Sequence, residues 1–201
     1  MVNLLRKHFA KLDNRGISHL VVPLVVVVLV AAVGTFMLVA SHANSRNTPR
    51  QSYATAILKQ ANKGHIDFVD TGFRSIDERA NTTPRENLRS AMHGEQSKTT
   101  RHCEGRDGVA GPYDDVAIGM DTLRFMLALS KRVDYKISSI VGQCHSSASS
   151  KHYTGDAVDI ACPVSPGTID IANKIGKRYG FSHNSEDCKH DGHFHFSKGG
   201  N

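Results

Sequence analysis

An uncharged apolar run from Leu20 to Ala40 constrains this chain more than any other feature of its sequence. At about 1.5 Å per residue, a helix over this run would extend roughly 30 Å, the thickness of the hydrocarbon core of a bilayer. Pro23 falls in the first turn of that helix, where a missing N–H leaves no bond unmade. We therefore predict one transmembrane helix over residues 20–40. The alternative is a buried core helix, which rarely needs this length without a polar face.

The charges before this run predict its orientation. Residues 1–19 are basic, with Arg6, Lys7, Lys11 and Arg15 against Asp13. Because positively charged flanks stay on the cytoplasmic side, we expect a single-pass protein of the cell membrane whose C-terminal domain is extracytoplasmic. Ser41-His42-Ala43 has the small residues of a signal-peptidase site, so the alternative is a cleaved signal and a secreted domain.

Four cysteines follow the apolar run and, with this orientation, lie in an oxidising compartment. An even number of cysteines there favours two disulfides, for which three connectivities exist. We predict that Cys103 pairs with Cys144 and that Cys162 pairs with Cys188. A zinc–thiolate site is the alternative, but the sequence has no Cys-x-x-Cys spacing.

The chain beyond the apolar run divides into a linker and one domain. Residues 41–51 are polar and contain Pro49, which predicts a linker, and residues 52–201 suffice for a domain with its own core. Periodicity predicts helices over Tyr53–Asn62, Pro84–Met92, Val116–Leu129 and Ile169–Tyr179, and strands over Ile66–Val69, Tyr135–Val141, Ala157–Cys162 and His193–Ser197. Their irregular order indicates an α+β fold with a small, mostly antiparallel sheet and flanking helices.

The overall charge indicates the kind of surroundings that the domain tolerates. The chain has 25 Lys and Arg against 19 Asp and Glu, a formal net charge of +6, which suits anionic polymers or lipid headgroups. The basic residues after the linker are scattered rather than arranged in a stripe, so we expect no binding to nucleic acid. Twelve histidines, clustered near the C-terminus, make a metal site the first hypothesis to consider.

Two segments carry residues suited to that chemistry, SKHYTGDAVD over residues 150–159 and HDGHFHF over residues 190–196. In a strand, side chains alternate between faces, so His193 and His195 share one face of the second segment. Asp159 lies on a face of small apolar residues, where a buried carboxylate needs a partner. If the two strands pair, Asp159 faces the histidines, and the turn after His152 returns its imidazole to the same place.

Two imidazoles and one carboxylate form a ligand set that suits Zn²⁺. They leave a fourth tetrahedral position for a water whose pKa can fall to about 7, which is the arrangement of a hydrolytic site. The sequence therefore predicts a zinc cofactor held by His152, Asp159 and a histidine of the pair at residues 193 and 195.

These residues also carry a family resemblance. Ser150, His152, Gly155, Ala157 and Asp159 match the Ser-x-His-x-x-Gly-x-Ala-x-Asp motif of the zinc D-alanyl-D-alanine carboxypeptidases and related peptidoglycan endopeptidases. The later His-x-His at residues 193–195 is similar to their closing motif, and the likeness extends over residues 116–197. The resemblance implies the fold shared with the hedgehog signalling domain, and it implies His152, Asp159 and His195 as the three zinc ligands.

The resemblance implies a peptidase that hydrolyses peptide stems of peptidoglycan through a zinc-activated water. His193 is then the general base or the oxyanion donor, and His190 corresponds to a further active-site histidine of some members. Ser150, Tyr153 and Gln143 are our candidate substrate-binding residues. Gln143 would replace an Arg that members often carry before the motif, a role open also to His145 or Lys151, and Tyr153 lines the cleft or belongs to the core.

Two other functions stay open. Gly192 stands where many members have a catalytic Glu or Asp. The second hypothesis is therefore a catalytically inactive, zinc-containing module that binds cell wall or a protein partner. A third hypothesis is an exported His-rich protein in which residues 190–196 alone take up metal. The oligomeric state is not predicted.

Overall fold

A computed structural model describes residues 47–69, 83–99, 103, 109, 111–113, 115–183, 188–189 and 192–199 of the protein. The predicted basic segment 1–19, the predicted transmembrane segment 20–40 and His190 lie outside these ranges. Of the helices within them, none has both the length and the apolar character that crossing a membrane requires.

The described residues form an α+β fold, as predicted. Five strands make one sheet in the order β1 (Ile66–Phe68), β4 (Tyr135–Ser139), β5 (Ala157–Ala161), β7 (His193–Lys198) and β6 (Phe181–His183). The sheet is mixed: β1 and β4 run parallel, and the other three pairings are antiparallel. Strands β2 (Ser97–Lys98) and β3 (Asp115–Val116) form a separate antiparallel pair. The sequence analysis did not predict β2, β3 or β6.

Four α-helices are present in the described ranges, and three of them begin elsewhere than predicted, the last by a single residue, at Thr168. Helix α1 spans Pro49–Asn62, because Thr48 and Gln51 form a capping box at its start. Residues 49–51 therefore belong to the helix and not to the linker. Helix α3 begins at Met120, after Gly119 as its N-cap, because residues 115–116 pair with β2 instead. Helix α2 spans Pro84–His93, and helix α3 spans Met120–Ser130. Helix α4 spans Thr168–Gly176 and is followed by a 3₁₀ helix at Lys177–Tyr179.

Side chains along the central strands alternate between a face that packs in the core and a face that carries the predicted metal ligands. On one face, Val158, Ile160 and Phe196 are fully buried, and Phe125 of α3 packs on Phe196 with ring centroids 5.4 Å apart. The opposite face of β5 and β7 carries Asp159 and His195. A register shift in β4 after Ile137 brings Ser139 opposite Asp159 on that face.

Both predicted disulfides are confirmed. Cys103 is bonded to Cys144, and Cys162 is bonded to Cys188. Cys162 follows β5 directly, and its N–H donates to the carbonyl oxygen of Gly192, one residue before β7. The second disulfide thus closes the chain near the ends of the two strands that carry Asp159 and His195.

Candidate metal centre

Two of the predicted ligands, Asp159 and His195, meet because their strands are neighbours in the sheet. In the antiparallel pairing of β5 with β7, Asp159 lies directly opposite His195. Side chains of such a pair are about 5 Å apart at Cβ and point to the same face. His195 Nδ1 lies 2.8 Å from Asp159 Oδ1.

His152 reaches the same point from a 3₁₀ helix at Lys151–Thr154. The Ser150 hydroxyl accepts the N–H of His152 and caps that helix, and Gly155 ends it with a left-handed φ of 74°. His152 Nε2 consequently lies 3.1 Å from Asp159 Oδ1 and 3.1 Å from His195 Nδ1. The three atoms form a nearly equilateral triangle.

A backbone carbonyl settles which nitrogen of His152 is available as a ligand. Its Nδ1 lies 2.9 Å from the carbonyl oxygen of Ile140, which can only accept a hydrogen bond. Nδ1 is therefore a protonated nitrogen, and Nε2 is the ring nitrogen of His152 that faces Asp159 and His195. Metal-binding imidazoles are typically oriented in this way, with the outer N–H on a carbonyl or carboxylate.

These three groups could hold a metal ion. Their ligand atoms lie within 4.8 Å of one another, and the residues are buried, with 0% of His152, 5% of Asp159 and 8% of His195 exposed. Ligand atoms about 2.0–2.1 Å from a tetrahedral cation are separated by roughly 3.3 Å. The observed separations of 2.8–3.1 Å are close to that value, so a cation would need only a small expansion of the triangle.

Electrostatics favour the ionised form of the carboxylate. Burial alone raises the pKa of Asp159, but the surrounding imidazoles, with His152 first, outweigh burial and hold the pKa of Asp159 well below its ordinary value. A carboxylate must be ionised to bind a cation, so Asp159 is in the form that the site requires.

His193, the predicted general base, lies at the open side of this group. It shares a face of β7 with His195, and its Nε2 is 3.7 Å from Asp159 Oδ2, the carboxylate oxygen that is not directed at the other two ligands. Its side chain is 30% exposed, against 10% for His195. An imidazole in this position is reachable from solvent while remaining next to the buried ligands.

The three candidate substrate-binding residues make hydrogen bonds within the protein, and their contact with a substrate stays a prediction. Tyr153 is only 1% exposed, and its hydroxyl lies against the backbone of Val109, His145 and Gln143. Gln143 is buried and its amide donates to the carbonyl of Ser138. Ser150 caps the 3₁₀ helix. These contacts hold the backbone around the ligands in place.

Sequence reasoning missed the packing of His145, which it named only as a replacement for Arg. Its ring stacks on that of His152, with centroids 4.2 Å apart and planes 2° apart. Its Nε2 lies 2.8 Å from the carbonyl oxygen of Gly142, so this nitrogen carries the proton. Burial, followed by the charge of His152, lowers the pKa of His145 to about 3. A neutral imidazole thus supports one face of the ligand ring.

Close packing explains why the motif has small residues at positions 155 and 157. A Cβ on Gly155 would lie 2.2 Å from the carbonyl oxygen of Ala117. Ala157 is fully buried at the start of β5, the strand that carries Asp159. The spacing between His152 and Asp159 therefore depends on a turn that only glycine can make at this contact.

Comparison of the chain with protein families, with curated proteins and with solved structures gave no match.

Proposed function

We propose that this protein is a membrane-anchored zinc metallopeptidase that hydrolyses the peptide stems of peptidoglycan, as a DD-carboxypeptidase or an endopeptidase. The observation that carries the proposal is the convergence of His152, Asp159 and His195 in a buried cluster with His193 at its exposed side. The transmembrane helix predicted over residues 20–40 would hold the domain at the outer face of the membrane. The two disulfides suit an exported domain.

Zinc is the metal that this donor set favours. Two imidazole nitrogens and one carboxylate oxygen are the ligands of many catalytic zinc sites, which keep a fourth position open. When bound, zinc would supply a water of lowered pKa and polarise the substrate carbonyl.

The residues of the chain would bind the metal and transfer protons. His152 and His195 would hold the metal through Nε2 and Nδ1, and Asp159 would neutralise part of its charge. His193 is placed to take a proton at its imidazole and return it to the leaving amine, because it is exposed enough to meet a peptide. His190 is a candidate for the same task.

The resemblance to zinc D-alanyl-D-alanine carboxypeptidases supports the substrate class. Four of the five fixed positions of the motif have a clear physical task in this chain: Ser150 caps the 3₁₀ helix, His152 and Asp159 point to the centre, and Gly155 permits the turn. A motif whose spacing serves the geometry of the cluster is stronger support than the letters alone. The basic charge of the chain suits an anionic cell envelope.

Defined muropeptides test this proposal. The full-length protein, purified in detergent and loaded with zinc, is incubated with them while bound zinc is quantified in the same sample. We expect about one zinc per chain and release of D-amino-acid-containing products, both lost in Asp159→Asn. Bound zinc without product would instead favour the inactive cell-wall module, to which Gly192 points because it offers no carboxylate. Metal binding that survives His152→Ala would favour the His-rich metal-binding protein.

A further inference from the structure

One peptide group lies between a remote helix and the metal centre. The carbonyl of Ile140 and the N–H of Val141 belong to the same planar unit, in which the two groups point in opposite directions. The carbonyl oxygen accepts the Nδ1–H of His152 at 2.9 Å. The N–H donates to Asn87 Oδ1 at 3.1 Å. Asn87 and His152 therefore bind the two ends of one rigid dipole.

Asn87 is an unusual residue for its place in the fold. It lies in α2, far from the ligands in sequence, and it is fully buried among core residues such as Leu88. A buried amide is costly unless it is hydrogen-bonded, so its bond to the 140–141 peptide is part of what makes it tolerable there. If position 87 served only to pack the helix, an apolar residue such as leucine would suit it as well as asparagine.

A second carbonyl of the same turn, two residues after Ile140, binds a second imidazole. Gly142 accepts the Nε2–H of His145, whose ring stacks on His152. Gly142 and Gln143 both have positive φ values, 83° and 65°, so this turn has a specific backbone conformation. Fixing the peptide at its start fixes the carbonyls that orient the ligand ring and the ring stacked on it.

We infer that Asn87 is a positioning residue of the metal centre, which acts through the 140–141 peptide to hold His152 in its ligating orientation. The inference rests on the metal-binding part of the proposed function and not on the peptidase activity. Hydrogen bonds in a chain polarise one another, so the amide of Asn87 also strengthens the bond from the carbonyl to His152.

The test compares zinc affinity among variants of the full-length protein, by competition with a chelator. In Asn87→Leu the side chain keeps its branching and its number of heavy atoms but loses the acceptor, and we expect zinc affinity to fall about 10- to 100-fold, the usual effect of losing an outer partner of a ligand. Asn87→Asp keeps an acceptor oxygen and should bind zinc nearly as tightly as the wild type. The visible spectrum of the Co²⁺-loaded protein should change in Asn87→Leu and not in Asn87→Asp.

Leu88→Ala is the matched control. It removes core volume from the neighbouring position of the same helix without touching the 140–141 peptide. It should lower the unfolding temperature while zinc affinity and the Co²⁺ spectrum, measured well below that temperature, stay at wild-type values. Equal affinity in Asn87→Leu and the wild type overturns the inference, and so does a parallel loss in Leu88→Ala.

A measurement on the unmodified protein covers the case in which Asn87→Leu does not fold. Zinc that fixes His152 should slow hydrogen exchange of the Val141 amide, while the amide of Gly94, at the end of α2, should be unaffected. No slowing at Val141 contradicts the inference. Wild-type protein that binds zinc but forms no product refutes the peptidase and leaves Asn87 in its role, whereas wild-type protein that binds no metal refutes both.

Discussion

Asp159 and His195 are direct partners across the β5–β7 pairing, and their side-chain atoms meet 2.8 Å apart. This relationship makes the centre depend on strand register. A slip of one residue would turn every side chain of β7 to the opposite face and take His195 away from Asp159. The hydrogen bond from Cys162 to Gly192 and the disulfide from Cys162 to Cys188 oppose that slip at one end of the pair.

Replacing Asp159 with Asn should remove metal binding without unfolding the domain. Asn is nearly isosteric but neutral, so a cation between two imidazoles loses its only anionic ligand. We expect zinc affinity to fall by more than the roughly 100-fold that loss of an outer partner causes. Zinc at about 100 times its Kd should stabilise the wild type by about 2.7 kcal/mol, and the variant hardly at all. Urea unfolding with and without chelator measures the difference.

Asp156→Asn is the control for this change. Asp156 lies just before β5 and accepts a hydrogen bond from Thr154, outside the metal cluster. Its variant should keep the zinc-dependent gain in stability. Equal gains in both variants would show that Asp159 is not a ligand.

Much of the centre could be predicted because it depends on local periodicity. Alternation in β5 and β7 and the spacing from His152 to Asp159 follow from strand geometry and one turn. The start of α1 was also present in the sequence, since Thr48-Pro49-Arg50-Gln51 has the pattern of a capping box with proline at the first position. The linker prediction missed it because polar composition was given more weight than this pattern.

The supporting residues could not be predicted, because they act through contacts between distant parts of the chain. Asn87 contacts a peptide 54 positions away, and nothing in the helical pattern of α2 distinguishes it from a surface amide. His145 lacks a patterned partner, and its stacking on His152 depends on the turn at Gly142 and Gln143. Strands of two or three residues, such as β2 and β3, are too short for alternation to be visible.

Gly155→Ala should destabilise the domain more than Gly167→Ala. Both glycines have left-handed φ values, 74° and 77°, so both variants incur about 1–2 kcal/mol for a side chain in that region. Only at Gly155 would the new Cβ meet backbone, at 2.2 Å from Ala117, whereas Gly167 has nothing within 4 Å. We expect a further loss of roughly 1–3 kcal/mol at Gly155 from this overlap.

Urea unfolding of the metal-free proteins gives both free energies. Because Gly155 ends the 3₁₀ helix that carries His152, its variant should also bind zinc more weakly, while Gly167→Ala should not. Equal destabilisation of the two variants would mean that the close approach to Ala117 does not constrain the turn.

His193→Gln should keep the metal and lose the reaction. The side chain is partly exposed and contacts the second carboxylate oxygen of Asp159, so it is not needed to complete the buried group of three. Loss of a general acid–base group lowers kcat by about 10²- to 10⁴-fold. Muropeptide turnover and zinc content are measured together, with His65→Gln as control because His65 is exposed and paired with Asp134. Loss of zinc in His193→Gln would make His193 a fourth ligand rather than a base.

His145 should make the metal-free protein less stable as the pH falls from about 6.5 toward 3. Burial lowers the pKa of His145 to about 3 in the folded state, from 6.5 as the ordinary value. Between these values the unfolded chain binds a proton that the folded protein does not, so stability falls with decreasing pH, by up to about 1.4 kcal/mol per pH unit. Below about 3 both states are protonated and this contribution stops changing. Two variants isolate the effect: His145→Gln retains a donor for the Gly142 carbonyl, and His145→Phe retains a ring on His152. Since they share only the loss of titration, both should show a shallower dependence than the wild type in urea unfolding at successive pH values, and unchanged slopes would contradict a buried neutral His145.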